Sequence, residues 1–395
     1  MDPIYFDHSA TTPLDPRVLD AMLPFYRAEF GNPSSLHWAG QQAKEAIENA
    51  RQQVAALFHA RAEEIIFTAS GTEADNLALL GVARRYTPTD CHIVTSAFEH
   101  PAILETCKHL QAQGYPISYL QVTPEGLVEP AALQQALRPN TRLVSIMAAN
   151  NVVGTLQRLA DLARLTRAHG ALFHTDAVQA AGKIPLLVDA LPIDLLSLSA
   201  HKLHGPKGVG ALYRREGILL EPIIHGGGQE GGLRSATENV AGIVGLGRAA
   251  ELAQAEMAAE AARMVGLRDR LIDSLQTEIP NLYLIGHRYK RLPGHLCVGL
   301  AGQEGEAIHL MLALNEAGIA VSTGSACSSH HAGQPSYILM AMGMDLVRAR
   351  GSLRITLGRF NTDAEVDTFL EVLPRLAANL RPTMSSTLPA SSSRS

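Results

Sequence analysis

The chain is poor in cysteine, and what it has is not arranged as a scaffold. Only Cys91, Cys107, Cys297 and Cys327 occur in 395 residues, with neither a disulfide framework nor C-x-x-C metal spacing. A reducing, cytoplasmic compartment is the simplest expectation. No run of about 18 apolar residues is present, which argues against a membrane span. The first residues, M-D-P-I-Y-F-D, have no basic stretch followed by an apolar one, so they do not read as a secretory signal. A formal net charge of −5 gives no general attraction to nucleic acid or anionic lipid. No G-x-S-x-G occurs, and the histidine and carboxylate spacings match no common zinc signature. A serine hydrolase and a resident metal centre are therefore not expected.

What is present is a core. The composition is 46% hydrophobic and 18% charged, enough for one large α/β domain with a companion. From about 60 to 215, short β-rich runs alternate with amphipathic stretches. The runs are E-I-I-F-T (64–68), H-I-V-T (92–95), L-V-S-I-M (143–147), A-L-F-H-T (171–175), D-L-L-S-L-S (194–199) and G-V-G-A-L-Y (208–213). Such alternation predicts a mostly parallel sheet covered on both faces by helices. Residues 236–277 are alanine-rich with leucine at helical spacing, which predicts one long helix or two in succession. Later segments, V-G-L-A (298–301) and L-R-I-T-L (353–357), read as strands of a smaller α+β domain. The expected division is 14–259 for the large domain and 1–13 with 260–382 for the small one. The serine-rich tail 383–395 is expected to be disordered.

Four segments could carry chemistry. In L-S-A-H-K-L-H-G-P-K-G (198–208), Lys202 follows an apolar strand and precedes a forced turn. A lysine desolvated there could form a Schiff base, although a surface turn lysine is the commoner case. In A-S-G-T-E-A-D-N (69–76), a strand-to-helix turn offers Gly71 and Thr72, with Thr72 a plausible N-cap or first-turn residue. Such a helix start suits a phosphate, and ordinary capping explains it as often. Asp176 ends an apolar strand, with Gln179 three residues on, where a carboxylate could hold a heterocyclic N–H. His100, after a strand and before Pro101, could stack on a ring or move protons. Thr237 lies in a glycine-rich stretch at a helix start. A Schiff-base lysine, a strand-end aspartate and a phosphate-type helix start in one α/β domain together suggest a pyridoxal-phosphate enzyme.

Read as a set, the motifs resemble the cysteine desulfurases of the class V aminotransferase group. They run from Y-F-D-H-S-A-T-T-P (5–13) through G-T-E-A-D-N-L-A (71–78), E-H-P-A (99–102) and H-T-D-A-V-Q-A-A-G-K (174–183). L-S-L-S-A-H-K-L-H-G-P-K-G-V-G-A-L-Y (196–213), S-T-G-S-A-C-S-S (322–329) and S-L-R-I-T-L-G-R (352–359) complete them. The resemblance implies a type I fold for pyridoxal-phosphate enzymes, in the form with an extended active-site cysteine loop. It implies that Lys202 carries the cofactor, Asp176 pairs with its ring nitrogen, Gln179 bonds its phenolic oxygen and His100 stacks on it and shuttles protons. Gly71, Thr72, Ser199 and His201 would hold the phosphate, with Thr237 coming from the partner subunit of a homodimer. Asn151 and Arg354 would bind the carboxylate of L-cysteine. Cys327 would take the sulfur as a persulfide and pass it to an iron–sulfur scaffold, a sulfur carrier or a tRNA-thiolation protein. The same cysteine could also ligate an iron–sulfur cluster transiently during transfer.

The chain departs from the family pattern at several places. Val152 stands where an acidic residue is usual, Gly231 where arginine is, Ala236 where glycine is and Gly351 where serine is common. Val152 is expected to loosen the hold on Asn151 by removing a hydrogen-bonding partner. Selenocysteine lyase activity, a class V transaminase without sulfur transfer, and a weakened paralogue that docks partners are the competing readings. A thiol in the Cys327 loop argues against plain transamination, which needs none.

Overall fold

The strand runs end where helices must begin, and the large sheet follows from that. The computed structural model describes residues 3–324 and 334–380; Cys327 and the tail 383–395 lie outside the described residues. Seven strands form the large sheet in the order Ile65–Thr68, Gly210–Arg214, Leu195–Ser199, Leu172–Asp176, Thr141–Ser145, His92–Ser96 and Ile117–Leu120. Gly210–Arg214 runs antiparallel to both neighbours, and every other pairing is parallel. All six strands read from the sequence are present, and Ile117–Leu120 at the edge is a seventh that the pattern does not announce. The third run is shifted: its strand ends at Ser145, so Met147 lies beyond the sheet rather than in it.

Alternation along the strands splits the core into two layers. Phe67, Val94, Val144, Leu196 and Ala211 face a cluster completed by the helices Pro16–Arg27, Trp38–Phe58 and Leu159–His169. Their neighbours Ile66, Ile93, Leu143, Leu195 and Leu212 face a second cluster with the helices Gly71–Ala83 and Pro101–Ala112. A sheet buried on both sides has no solvent-facing stripe, which is why its strands read as nearly continuous apolar runs.

The segment 236–277 becomes one helix, Val240–Glu278, of 39 residues. Its N-terminal part, through Ala253, packs in the core of the large sheet. From Met264 to Leu275 it packs in a separate core with Ile4, Phe6 and the helix Asp363–Ala378. That second core backs an antiparallel sheet in the order Ser322–Thr323, Ser352–Thr356, His295–Leu300 and Leu282–Leu284. The smaller α+β unit thus leans on the large sheet through one continuous helix. The N-terminal strand Ile4–Tyr5 pairs with Ile319–Ala320 and leads residues 7–12 back across the large unit.

Candidate active site

Four parallel strands end side by side, and the residues that follow them face a common cavity of about 420 Å³. His100 comes from beyond His92–Ser96, Met147 and Asn151 from beyond Thr141–Ser145, and Asp176 and Gln179 from the end of Leu172–Asp176. Ser199 closes the next strand, and His201 and Lys202 sit in the single helical turn after it. Gly71 and Thr72 enter from the start of the helix Gly71–Ala83, and Arg354 from the small sheet. Of the residues singled out in the sequence, all of these line the cavity. Thr237 does not: it is exposed and lies beside Phe67, Gly208 and Asn239.

Lys202 is held by the N-terminal segment. Its Nζ donates to the carbonyls of Ser9 and Ala10, at 2.5 and 2.7 Å. The same segment fixes the turn that carries it, since Thr12 N–H donates to the His201 carbonyl at 3.0 Å and Thr11 Oγ1 pairs with His201 Nδ1 at 3.1 Å. Burial first, then Lys202, Lys207 and Lys183, push the His201 pKa down to about 4, so its ring is neutral.

Asp176 is buried, and Val178 N–H donates to its Oδ1 at 2.9 Å. Burial raises its pKa above the ordinary value, while His100 and Lys202 pull it back. His100 caps the helix Pro101–Ala112, its Nδ1 accepting from Ala102 N–H at 3.1 Å. Burial lowers its pKa, so the neutral ring carries its proton on Nε2. Gln179 Nε2 donates to the Ser9 carbonyl at 3.0 Å, and its buried Oε1 has no partner among the described residues.

The helix start differs in detail from the sequence reading. Ser70, not Thr72, is the N-cap: its Oγ accepts from Glu73 N–H at 3.0 Å. Thr72 is a first-turn residue, exposed to the cavity. Thr237 likewise precedes its helix, which is capped by Asn239 and begins at Val240. Val152 is buried among Phe98, Met147, Ile338 and Leu339, and the backbone around Asn151 is held by other groups. The Asn151 carbonyl accepts from Arg354 Nη1 at 3.1 Å, and Asn150 Oδ1 accepts from the Val152 and Val153 N–H groups.

Several cavity residues escaped the sequence reading. Asp7 pairs with Arg354 at 2.8 Å, although 347 positions separate them. Asp75 is buried and faces Asp176 and His174. The signal available for it was only its position, four residues after the first residue of a helix that starts at a cavity.

A pyridoxal phosphate suits this set: an amine on a turn, a buried carboxylate, a ring-sized histidine and an unpartnered amide oxygen share one cavity. The helix start beside Ser199 and His201 offers backbone N–H groups to a phosphate. Gly71 is needed for the fit, because a Cβ there would lie 2.6 Å from Val178 Cγ2.

The fold and cavity define a class V aminotransferase, and residues 4–369 match that family, described as aminotransferase class-V. The chain belongs to it, with the type I fold of pyridoxal-phosphate enzymes. Within it the chain belongs to the cysteine desulfurases. It is 48% identical over 378 residues to the cysteine desulfurase IscS of Dictyoglomus turgidum, covering 96% of this chain and 95% of that one. Among solved structures it resembles a NifS-like protein, with 41% identity, a TM-score of 0.89, and coverage of 96% and 100% of the two chains. It also resembles SspA, solved in complex with cysteine, with 34% identity, a TM-score of 0.80, and coverage of 91% and 100%.

Proposed function

We propose that this enzyme converts L-cysteine to L-alanine and leaves the sulfur on Cys327 as a persulfide. The observation that carries the proposal is the convergence of Lys202, Asp176, His100 and the Gly71–Thr72 helix start on one cavity. In this reading Lys202 anchors pyridoxal phosphate, Asp176 faces its ring nitrogen, Gln179 its phenolic oxygen, and Gly71, Thr72, Ser199 and His201 its phosphate. When bound, the cofactor supplies an electron sink next to the substrate α-carbon. Arg354 and Asn151 orient the substrate carboxylate; the Asp7 carboxylate fixes one side of the Arg354 guanidinium. His100, neutral and proton-bearing on Nε2, moves protons at the reacting atoms. The Cys327 thiolate attacks the substrate sulfur, the carbon–sulfur bond breaks, its electron pair stays with carbon, and protonation there gives alanine.

The persulfide then passes to an iron–sulfur scaffold, a sulfur carrier or a tRNA-thiolation protein. The working form is a homodimer, in which Thr237 reaches the phosphate of the partner's site. Support comes from the exposed apolar side chains Phe30, Leu36 and Trp38, close in sequence, which a lone chain would leave in water. The compartment is cytoplasmic, in keeping with free thiols at Cys91, Cys107 and Cys297. Among the described residues, no helix is long and apolar enough to cross a membrane.

Mass spectrometry after brief exposure to L-cysteine tests the proposal. Cys327 is expected to gain one sulfur, and Cys327→Ala to keep the cofactor while losing the added sulfur. A Cys327→Ala variant that releases sulfur at the parental rate refutes the assignment of the nucleophile.

A further inference from the structure

Three buried carboxyl groups crowd together at and behind the cavity wall. Asp75, Glu99 and Asp176 are all buried, and Asp75, His100 and Asp176 each have a polar atom within 4.8 Å of the others. Of the three, Asp176 is the one with a lysine among its stabilising neighbours, Lys202, and it also has the Val178 N–H and the His100 ring. Glu99 accepts from Ser96 Oγ and Met147 N–H, both neutral donors.

Asp75 has the poorest surroundings of the three for a negative charge. Its Oδ1 is buried without a hydrogen bond among the described residues. The nearest histidine, His174, has Nε2 at 3.7 Å from that oxygen. Yet His174 is no cation: its Nδ1 and Nε2 pair with Ser145 Oγ and Ser197 Oγ, at 2.8 and 3.0 Å. Burial drives its pKa down to about 3. The remaining neighbours are the Ser197 hydroxyl and the like charges of Asp176 and Glu99, and burial followed by Asp176 raises the Asp75 pKa well above its ordinary value.

We propose that Asp75 is a positioning residue for Asp176: it keeps the proton of the buried pair and so confines the negative charge of this wall to Asp176. That places the charge on the carboxylate which, on the reading above, meets the protonated ring nitrogen of the cofactor. As the acid form, Asp75 also has an O–H to donate toward Asp176, which an ionised Asp75 would lack. The inference rests on that cofactor reading for its role in the reaction, but the protonation of Asp75 itself does not.

Infrared spectroscopy of the full-length protein at neutral pH tests the protonation. Wild type is expected to show deuterium-sensitive bands of protonated carboxyl groups, and Asp75→Asn to lose one of them while Asp176→Asn retains it. Absence of such bands in wild type, or no loss in Asp75→Asn, overturns the proposal. The positioning role is read from pyridoxal phosphate dissociation constants. Asp75→Ala is expected to bind about tenfold more weakly, as loss of a hydrogen bond to a charged group implies, and Asp75→Asn to recover most of that loss. Equal weakening by Ala and Asn would mean that charge is required, and no weakening by Ala would mean no positioning; either overturns it. Failure of the wild-type protein to bind pyridoxal phosphate would sink the cofactor reading alone, because the infrared result stands without it.

Discussion

A carboxyl group buried against neutral donors costs stability once the pH is high enough to ionise it in the unfolded chain. Glu99 is that case: burial raises its pKa to about 8, against hydrogen bonds from Ser96 and Met147 and with Asp176 adding to the rise. A raised folded pKa means that full stability is present below the unfolded value, near 4.5, and is lost as the pH climbs toward about 8. Gln can accept from Met147 and donate to Ser96 without ionising. Glu99→Gln is therefore expected to unfold later than wild type at pH 8, by about 1–3 kcal/mol, with the gain vanishing toward pH 4.5. Denaturant titrations at several pH values check it, and a pH-independent difference would show that Glu99 is ionised throughout. Residues of this kind are where the sequence says least. Lys202 and Asp176 announce themselves because a charged group at the end of an apolar run is conspicuous. Asp75 and Glu99 do not, since a polar residue beside a helix start or a strand end is ordinarily a cap. Ser9 and Ala10 reach Lys202 through carbonyls that any residue type could present, from about 190 positions away.

At the scale of elements, the start of the helix Gly71–Ala83 shows how tightly local and global demands interlock. The stretch S-G-T-E contains two hydroxyl residues ahead of an acid, and sequence alone does not choose between them as N-cap. The sheet decides: a Cβ at Gly71 would come 2.6 Å from Val178 Cγ2 and 3.3 Å from Ser199 Cβ, so the glycine must sit against those strand ends. With Gly71 as first helical residue, Ser70 is the cap and Thr72 turns to the cavity. Gly71→Ala should push the helix start away from Ser199 and weaken cofactor binding by about tenfold, on the scale of one lost charged hydrogen bond. Titration of cofactor-free protein with pyridoxal phosphate measures this. Unchanged affinity would mean that this helix start is not the phosphate site. In the large sheet one strand goes unmarked in the sequence, and the exception has a physical cause. Ile117–Leu120 is an edge strand with half-exposed side chains, so it lacks the continuous apolar character that marks the equally short, fully buried Ile65–Thr68 at the other edge.

At the scale of the whole molecule, the sequence marks a second core but not how it is joined to the first. One 39-residue helix serves both, and the N-terminal segment ties them, through Asp7 to Arg354 and Ser9 N–H to Thr356. Such ties depend on chain crossings that periodicity does not encode. The same holds for Thr237, whose proposed role needs a second copy of the chain. If the site is shared, defects on different subunits should complement. Lys202→Ala removes the cofactor amine, and Thr237→Asp would set a carboxylate against the phosphate. A heterodimer carrying one defect on each subunit has one site that combines an intact Lys202 with the partner's intact Thr237. Isolated with two different tags, it should show up to about half the parental rate, since one of two symmetric sites is whole. Both parent homodimers should be nearly inactive. If Thr237 serves its own subunit, the site with an intact Lys202 also carries the aspartate, and the heterodimer stays as inactive as its parents.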